Sequence, residues 1–159
     1  MYNTLLTLSR NILFYNKINL YDRFETRIYL MFIHFSIMMI IFKNKGKKFD
    51  QSSYDSLFNN IEYNIRELGY GDVSVNKKMK DYNKILYDIL LKLQDPKFNE
   101  FKINKKLIFT YFSELESLEE EKYVFFEDYF LNFYNFCFEL PLDSMIREAI
   151  NFKKSYGST

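Results

Sequence analysis

With 159 residues, the chain is long enough for one domain with a real core and short for two. Its 48% apolar share excludes a disordered chain, and a net charge of +1 excludes a global pull toward nucleic acid or an acidic partner. A single cysteine, Cys137, excludes an internal disulfide and fits a reducing compartment or no redox constraint at all.

Strand formers are scarce, and 4 Gly and 2 Pro leave little turn punctuation, so long helices are expected. The opening, Met1 to Lys17, lacks the basic-then-apolar order and cleavage site of a secretory signal, and predicts an unexported chain. The first predicted helix runs from about Asn3 to Asn16, capped by Asn3, with Leu5, Leu8, Ile12 and Tyr15 at helical spacing. A second spans about Asp22 to Lys43. Its stretch Ile28–Phe42 is apolar apart from His34 and Ser36. Fifteen residues of helix cover roughly 22 Å, short of the roughly 30 Å hydrocarbon core, so a buried central helix is favoured over a membrane span. Lys43, Lys45, Lys47 and Lys48 follow, either as a solvated loop around Gly46 or as a contact for anionic lipid.

The third predicted helix, Gln51 to Leu68, spaces Tyr54, Leu57 or Phe58, Ile61, Ile65 and Leu68 along one face. The fourth, Ser74 to Leu93, carries Val75, Met79, Tyr82, Leu86, Ile89 and Leu93 within about 80° of arc, with Lys77, Lys80 and Lys84 opposite. Gln94 to Asn104, containing Asp95-Pro96, reads as a linker. Lys105 to Lys122 is expected to be helical, with an acidic run of Glu114, Glu116, Glu119, Glu120 and Glu121. An aromatic helix follows from Tyr123 to Leu140, ended by Pro141, and a short terminal helix over 143–153 carries Met145, Ile146, Ala149 and Ile150. The pattern predicts an all-α, single-domain bundle of about six helices over 1–159. Its motif-bearing part is about 5–93, its aromatic C-terminal helices about 105–140.

Little points to catalysis. His34 is the only histidine, no Glu-x-x-His occurs, and a packed core histidine is favoured over a metal ligand. Cys137 lies among Phe136, Phe138 and Leu140, where an inert buried thiol is expected. No nucleophile elbow, phosphate-binding loop or dinucleotide fingerprint is present. The sequence therefore predicts no enzyme, cofactor, metal or small-molecule substrate. Lys77, Lys78, Lys80 and Lys84 on one helix after a Gly turn keep one alternative open, a small nucleic-acid-binding module. Asp81 and Asp88 interrupt that basic face.

The segment with specific grammar is Ile65-Arg66-Glu67-Leu68-Gly69-Tyr70-Gly71-Asp72-Val73-Ser74-Val75-Asn76-Lys77-Lys78-Met79-Lys80. Gly69 suits a helix C-terminus with positive φ, and Gly71 permits a second tight bend. Asp72 or Ser74 can cap the next helix, and Arg66 and Glu67 are placed to tie the loop down through Asp72 or neighbouring backbone. The segment closely resembles the motif Leu-Arg-Glu-Met-Gly-Val-Gly-Asp-Leu-Ser-Val-Gly-Lys-Arg-Val-Lys of the ubiquinol–cytochrome c chaperone family. Phe24-Glu25-Thr26-Arg27-Ile28, followed by Leu30 and His34, is similar to that family's Phe-Asp-Gly-Arg-Phe segment and its helical His. Phe14-Tyr15 in the opening helix also fits. The resemblance covers roughly residues 5–90.

The resemblance implies a helical, non-enzymatic assembly factor that binds newly made cytochrome b during biogenesis of ubiquinol–cytochrome c reductase. It implies a cytoplasmic place, peripheral to the inner membrane, on the matrix side in a mitochondrion. Ribosome and anionic membrane surface would be further contacts. Arg27, His34, Arg66, Glu67, Gly69, Gly71, Asp72, Lys77, Lys78 and Lys80 match motif positions and are the candidate contact residues. Thr26 and Asn76 stand where the family has glycine, Tyr29 where it has an acid, Ile40 and Ile41 where it has basic residues, and Asp88-Ile89 where it has Gly-Arg. The stripe Phe126, Tyr129, Phe130 and Phe133 is a further candidate apolar surface, with core the favoured alternative.

Overall fold

A computed structural model describes residues 1–98, 100–116 and 120–156, the last three by backbone only. Glu119 of the acidic run and residues 157–159 lie outside the described residues. In chain order the helices are α1 (Tyr2–Ser9), α2 (Leu13–Asn16), α3 (Phe24–Asn44), α4 (Gln51–Glu67), α5 (Asp72–Lys92), α6 (Lys105–Tyr111), α7 (Glu120–Phe138), α8 (Leu142–Glu148) and α9 (Asn151–Tyr156). A 3₁₀ turn occupies Ser113–Leu115. No strand occurs among the described residues; Gln94 and Phe101 form one isolated antiparallel bridge that pinches the linker.

The helices outnumber the expected six because three of them are broken. The opening helix stops at Ser9, and α2 restarts at Leu13. Between them Asn11 is buried and turns its Oδ1 to the Leu13 amide at 3.2 Å, which substitutes a side-chain acceptor for the helical carbonyl. Ile12 is therefore exposed, not core, and Asn3 caps nothing: Met1 precedes the helix without a side-chain cap. The expected helix 105–122 ends at Tyr111, because Phe112 leaves helical geometry (φ −128°, ψ 66°) to bury its ring. The terminal helix divides into α8 and α9.

α3 is the axis of the bundle. It is buried on every side from Leu30 to Met38, as its uniformly apolar sequence requires. Phe32 stacks on Phe58 of α4 and meets Tyr82 of α5 edge-on, while His34 packs among Phe130 and Phe133 of α7. α1 lies along it as well. α3 is long and apolar enough to cross a membrane, yet most of its apolar length is enclosed by other helices, as expected for a central core helix. The stripe Phe126, Tyr129, Phe130 and Phe133 is likewise fully buried and forms core rather than surface.

Contacts fix the helix directions. Phe32 meets Tyr82 and, further along, Lys43 meets Gln94, so α3 and α5 run parallel. α4 returns antiparallel between them: Tyr54 near its start donates to Asn83 Oδ1 of α5 at 2.8 Å. Asp50 caps α4 by accepting from the Ser52 amide at 3.2 Å, and Asn104 caps α6 from the Leu107 amide at 3.1 Å. The N-termini of α3 and α5 consequently share one end of the bundle with the α4–α5 corner. Their C-termini share the other end with the 94–104 segment.

Candidate functional site

The α4–α5 corner is built from four residues, Leu68 to Gly71. Leu68 ends α4, and Gly69 takes φ 96°, the left-handed value that lets the chain leave the helix while its amide donates to the Arg66 carbonyl at 2.9 Å. Gly71 differs from expectation: at φ −79° and ψ 169° it is ordinary extended backbone and serves as the N-cap of α5. A Cβ added at Gly71 would meet nothing within 4 Å. Gly69→Ala should therefore cost about 1 kcal/mol, whereas Gly71→Ser should be neutral or slightly stabilising, since Ser caps a helix better than Gly does. Urea unfolding of the two variants checks the contrast.

Neither Asp72 nor Ser74 caps α5, because the helix already begins at Asp72. Asp72 instead accepts from Arg66 Nη1 at 2.5 Å, clamping the last turn of α4 to the first turn of α5. That hydrogen bond to Asp72 raises the Arg66 pKa above the usual guanidinium value. Glu62 adds a second carboxylate at 3.5 Å. Both partners are solvent-exposed, so water and salt screen the pair and it orients the corner more than it stabilises it. Glu67 does not tie the loop down. It engages the hydroxyl of Tyr63, one turn back, and raises that group's pKa.

The clamp holds an apolar tip in water. Leu68 is 58% exposed, Tyr70 44% and Val73 86%. Lys78 Nζ lies 4.7 Å from the centre of the Tyr70 ring, over its face. From Val73 a single exposed stripe continues along α5 through Lys77, Lys80, Lys84, Tyr87 and Leu91, six residues within about 80° of arc. The corner thus gathers Arg66, Glu67, Gly69, Gly71, Asp72, Lys77, Lys78 and Lys80. Leu68, placed on the buried face by its spacing, turns outward because it follows the last helical residue of α4. Val73 could have been found from sequence, since two residues from Val75 is about 200° around the helix.

Arg27 and His34 stand apart from this surface. Arg27 Nη2 pairs with Asp22 at 2.9 Å, and the Arg27 guanidinium also hydrogen-bonds Tyr15, whose hydroxyl burial pushes up to about 12. His34 is fully buried, beyond the reach of a partner docking outside. Its Nδ1 lies 2.6 Å from the Leu30 carbonyl, so Nδ1–H donates there and Nε2 accepts from the Tyr129 hydroxyl at 2.9 Å. Burial drives its pKa down to about 4, and the ring is neutral at physiological pH. Cys137 is also buried, and its thiol is raised to about 12, as an inert core thiol would be. Among the described residues no cluster of three metal-ligating side chains occurs.

α4 and α5 are not arranged as a helix-turn-helix. Tyr54 still touches Asn83 fourteen residues before the corner's start, so the helices lie side by side rather than crossing steeply. The family model described as Ubiquinol-cytochrome C chaperone matches residues 16–102. No curated protein and no solved structure matches the chain. The matched stretch is more than half of the chain and takes in the central helix, the Arg66–Asp72 clamp and the whole of α5. The chain belongs to the ubiquinol–cytochrome c chaperone family.

Proposed function

We propose that this protein is a non-enzymatic chaperone whose client is newly made cytochrome b, and that the client docks on the α4–α5 corner. The family places it in the assembly of ubiquinol–cytochrome c reductase, where a protein client is implied. The observation that carries the choice of surface is the tip Leu68, Tyr70 and Val73. These are apolar side chains held in water by a clamped backbone within the matched stretch. An exposed apolar tip beside Lys77 and Lys78 suits a client that is apolar within the membrane and anionic at its lipid boundary. The working position would be peripheral to the inner membrane, on its cytoplasmic or matrix side.

A photoreactive residue in place of Val73 tests this in cells. The expected adduct contains cytochrome b, and a probe at Leu131 on α7 should give none. Val73→Asp should reduce co-purified cytochrome b by about tenfold, the loss of a small hot spot, while stability changes by no more than about 0.5 kcal/mol. Adducts only at Leu131, or normal reductase assembly in cells lacking the protein, would overturn the proposal.

A further inference from the structure

At the end of the bundle opposite the glycine corner, α3, α5 and the 94–105 segment enclose an open cleft of about 780 Å³. Four lysines line it: Lys43 from the end of α3, Lys92 from the last turn of α5, and Lys102 and Lys105 beyond the linker. The one carboxylate on its wall, Asp95, is turned to its own loop, where Oδ1 accepts from the Lys97 and Phe98 amides at 2.8 and 3.3 Å. Lys92 is oriented by Asp88 at 2.8 Å, and Asp88 also accepts from Tyr111 at 2.5 Å. Four lysines against Asp95 and the Asp88 paired with Lys92 leave a concave site of net positive charge in a chain whose net charge is +1.

Apolar groups share the same wall. Leu91 is 73% exposed at the cleft, with Ile103 beside it. Lysines alone would suit any anion, but an apolar lining beside them selects one with a hydrocarbon body. Nucleic acid is poorly served here, because single strands need open ring faces for stacking. Among the described residues no aromatic ring lines the cleft: beside the lysines its wall is Leu91, Gln94, Asp95, Pro96, Ile103 and Asn104.

We propose that this cleft seats the phosphate head group of an anionic phospholipid. Lys43, Lys92 and Lys102 hold the phosphate as point charges, and Leu91 and Ile103 meet the glycerol–acyl boundary. The inference deepens the membrane-side reading above and rests on it for the source of the lipid. It also separates two surfaces, client at one end of the bundle and lipid at the other.

The test uses the full chain without client, mixed with vesicles of phosphatidylcholine alone or doped with phosphatidylglycerol. Binding is expected only to the doped vesicles. Lys92→Gln and Lys102→Gln together should weaken it, by about fivefold for each charge removed, while Lys92→Arg with Lys102→Arg restores it. Lys77→Gln with Lys80→Gln, on the outer face of α5, should weaken it less than the cleft pair. Equal weakening by both pairs, or no binding to doped vesicles, overturns the proposal. Glycerol 3-phosphate is titrated in parallel against the methyl signals of Leu91 and Ile103. Shifts from the free ester matching those from vesicles would assign the cleft to a soluble phosphate ester and overturn the lipid. Because no client is present, loss of Val73 adducts leaves this result untouched, and the two proposals fail separately.

Discussion

Acidifying the protein from neutrality to about pH 4 is expected to remove about 3 kcal/mol of stability through one residue, His34. Its folded pKa is lowered from 6.5 to about 4 by complete burial, and each unit is worth about 1.4 kcal/mol. Between those values the unfolded chain takes up a proton that the folded chain refuses. The contribution is therefore fully present above about pH 6.5, falls as the pH drops through the window, and is lost near pH 4. Protonation would also give Nε2 a hydrogen facing the Tyr129 hydroxyl, which now donates to it at 2.9 Å. Urea unfolding across this range should show the slope in wild type. His34→Leu should lack it, even though its baseline is lower because Leu30 and Tyr129 each lose a partner. An identical slope in both proteins would show that other groups carry the acid sensitivity.

The second large effect belongs to Phe14. Its ring is fully buried in the same cluster, 4.7 Å from the ring centre of Tyr129 and 6.0 Å from that of Phe130, with His34 and Phe126 at 6.2 Å each. Phe14→Ala should cost about 3–5 kcal/mol, roughly a fifth or more of the stability of an ordinary domain, and lower Tm by roughly 10 °C. Two residues earlier, Ile12→Ala should be nearly silent, within about 0.5 kcal/mol, because that side chain is exposed. Calorimetry on the pair checks both. A Phe14→Ala loss below about 1 kcal/mol would mean that the four-residue α2 does not pin the N-terminal segment to α7.

That contrast locates what local pattern could and could not disclose. Long helices with one apolar stripe were legible: α4 and α5 carry their core faces at the spacing the sequence predicts, and α3 is buried all round because its sequence is apolar all round. Breaks were not legible where a long-range contact outweighs local helix propensity. Asn11 interrupts the opening helix from within the core, and Phe112 leaves its helix to reach Phe126 at 5.1 Å. At the corner, the Arg66–Asp72 pair was readable because its partners are six residues apart. The lysine cleft was invisible, since Lys43 and Lys105 share no sequence window and meet only after α3 and α5 align. Lys45, one of the basic group after α3, was placed by the fold rather than by composition. It donates to the Phe138 and Leu140 carbonyls and is spent on closing the end of α7.

The order in which α3 and its covers leave the ribosome has a consequence of its own. His34 finds Tyr129 across 95 residues of chain, so the axis of the bundle is synthesised long before its last wall. At about 5–20 residues per second, an apolar helix long enough to cross a membrane waits roughly 5–20 seconds for α7. Over that interval α4 and α5 are the first later helices able to shield it, and α6 follows, its Tyr111 ring 5.2 Å from that of Tyr29 on α3. A member of a chaperone family thus begins life with an exposed apolar helix of its own, and its early α4–α5 hairpin is that helix's first escort.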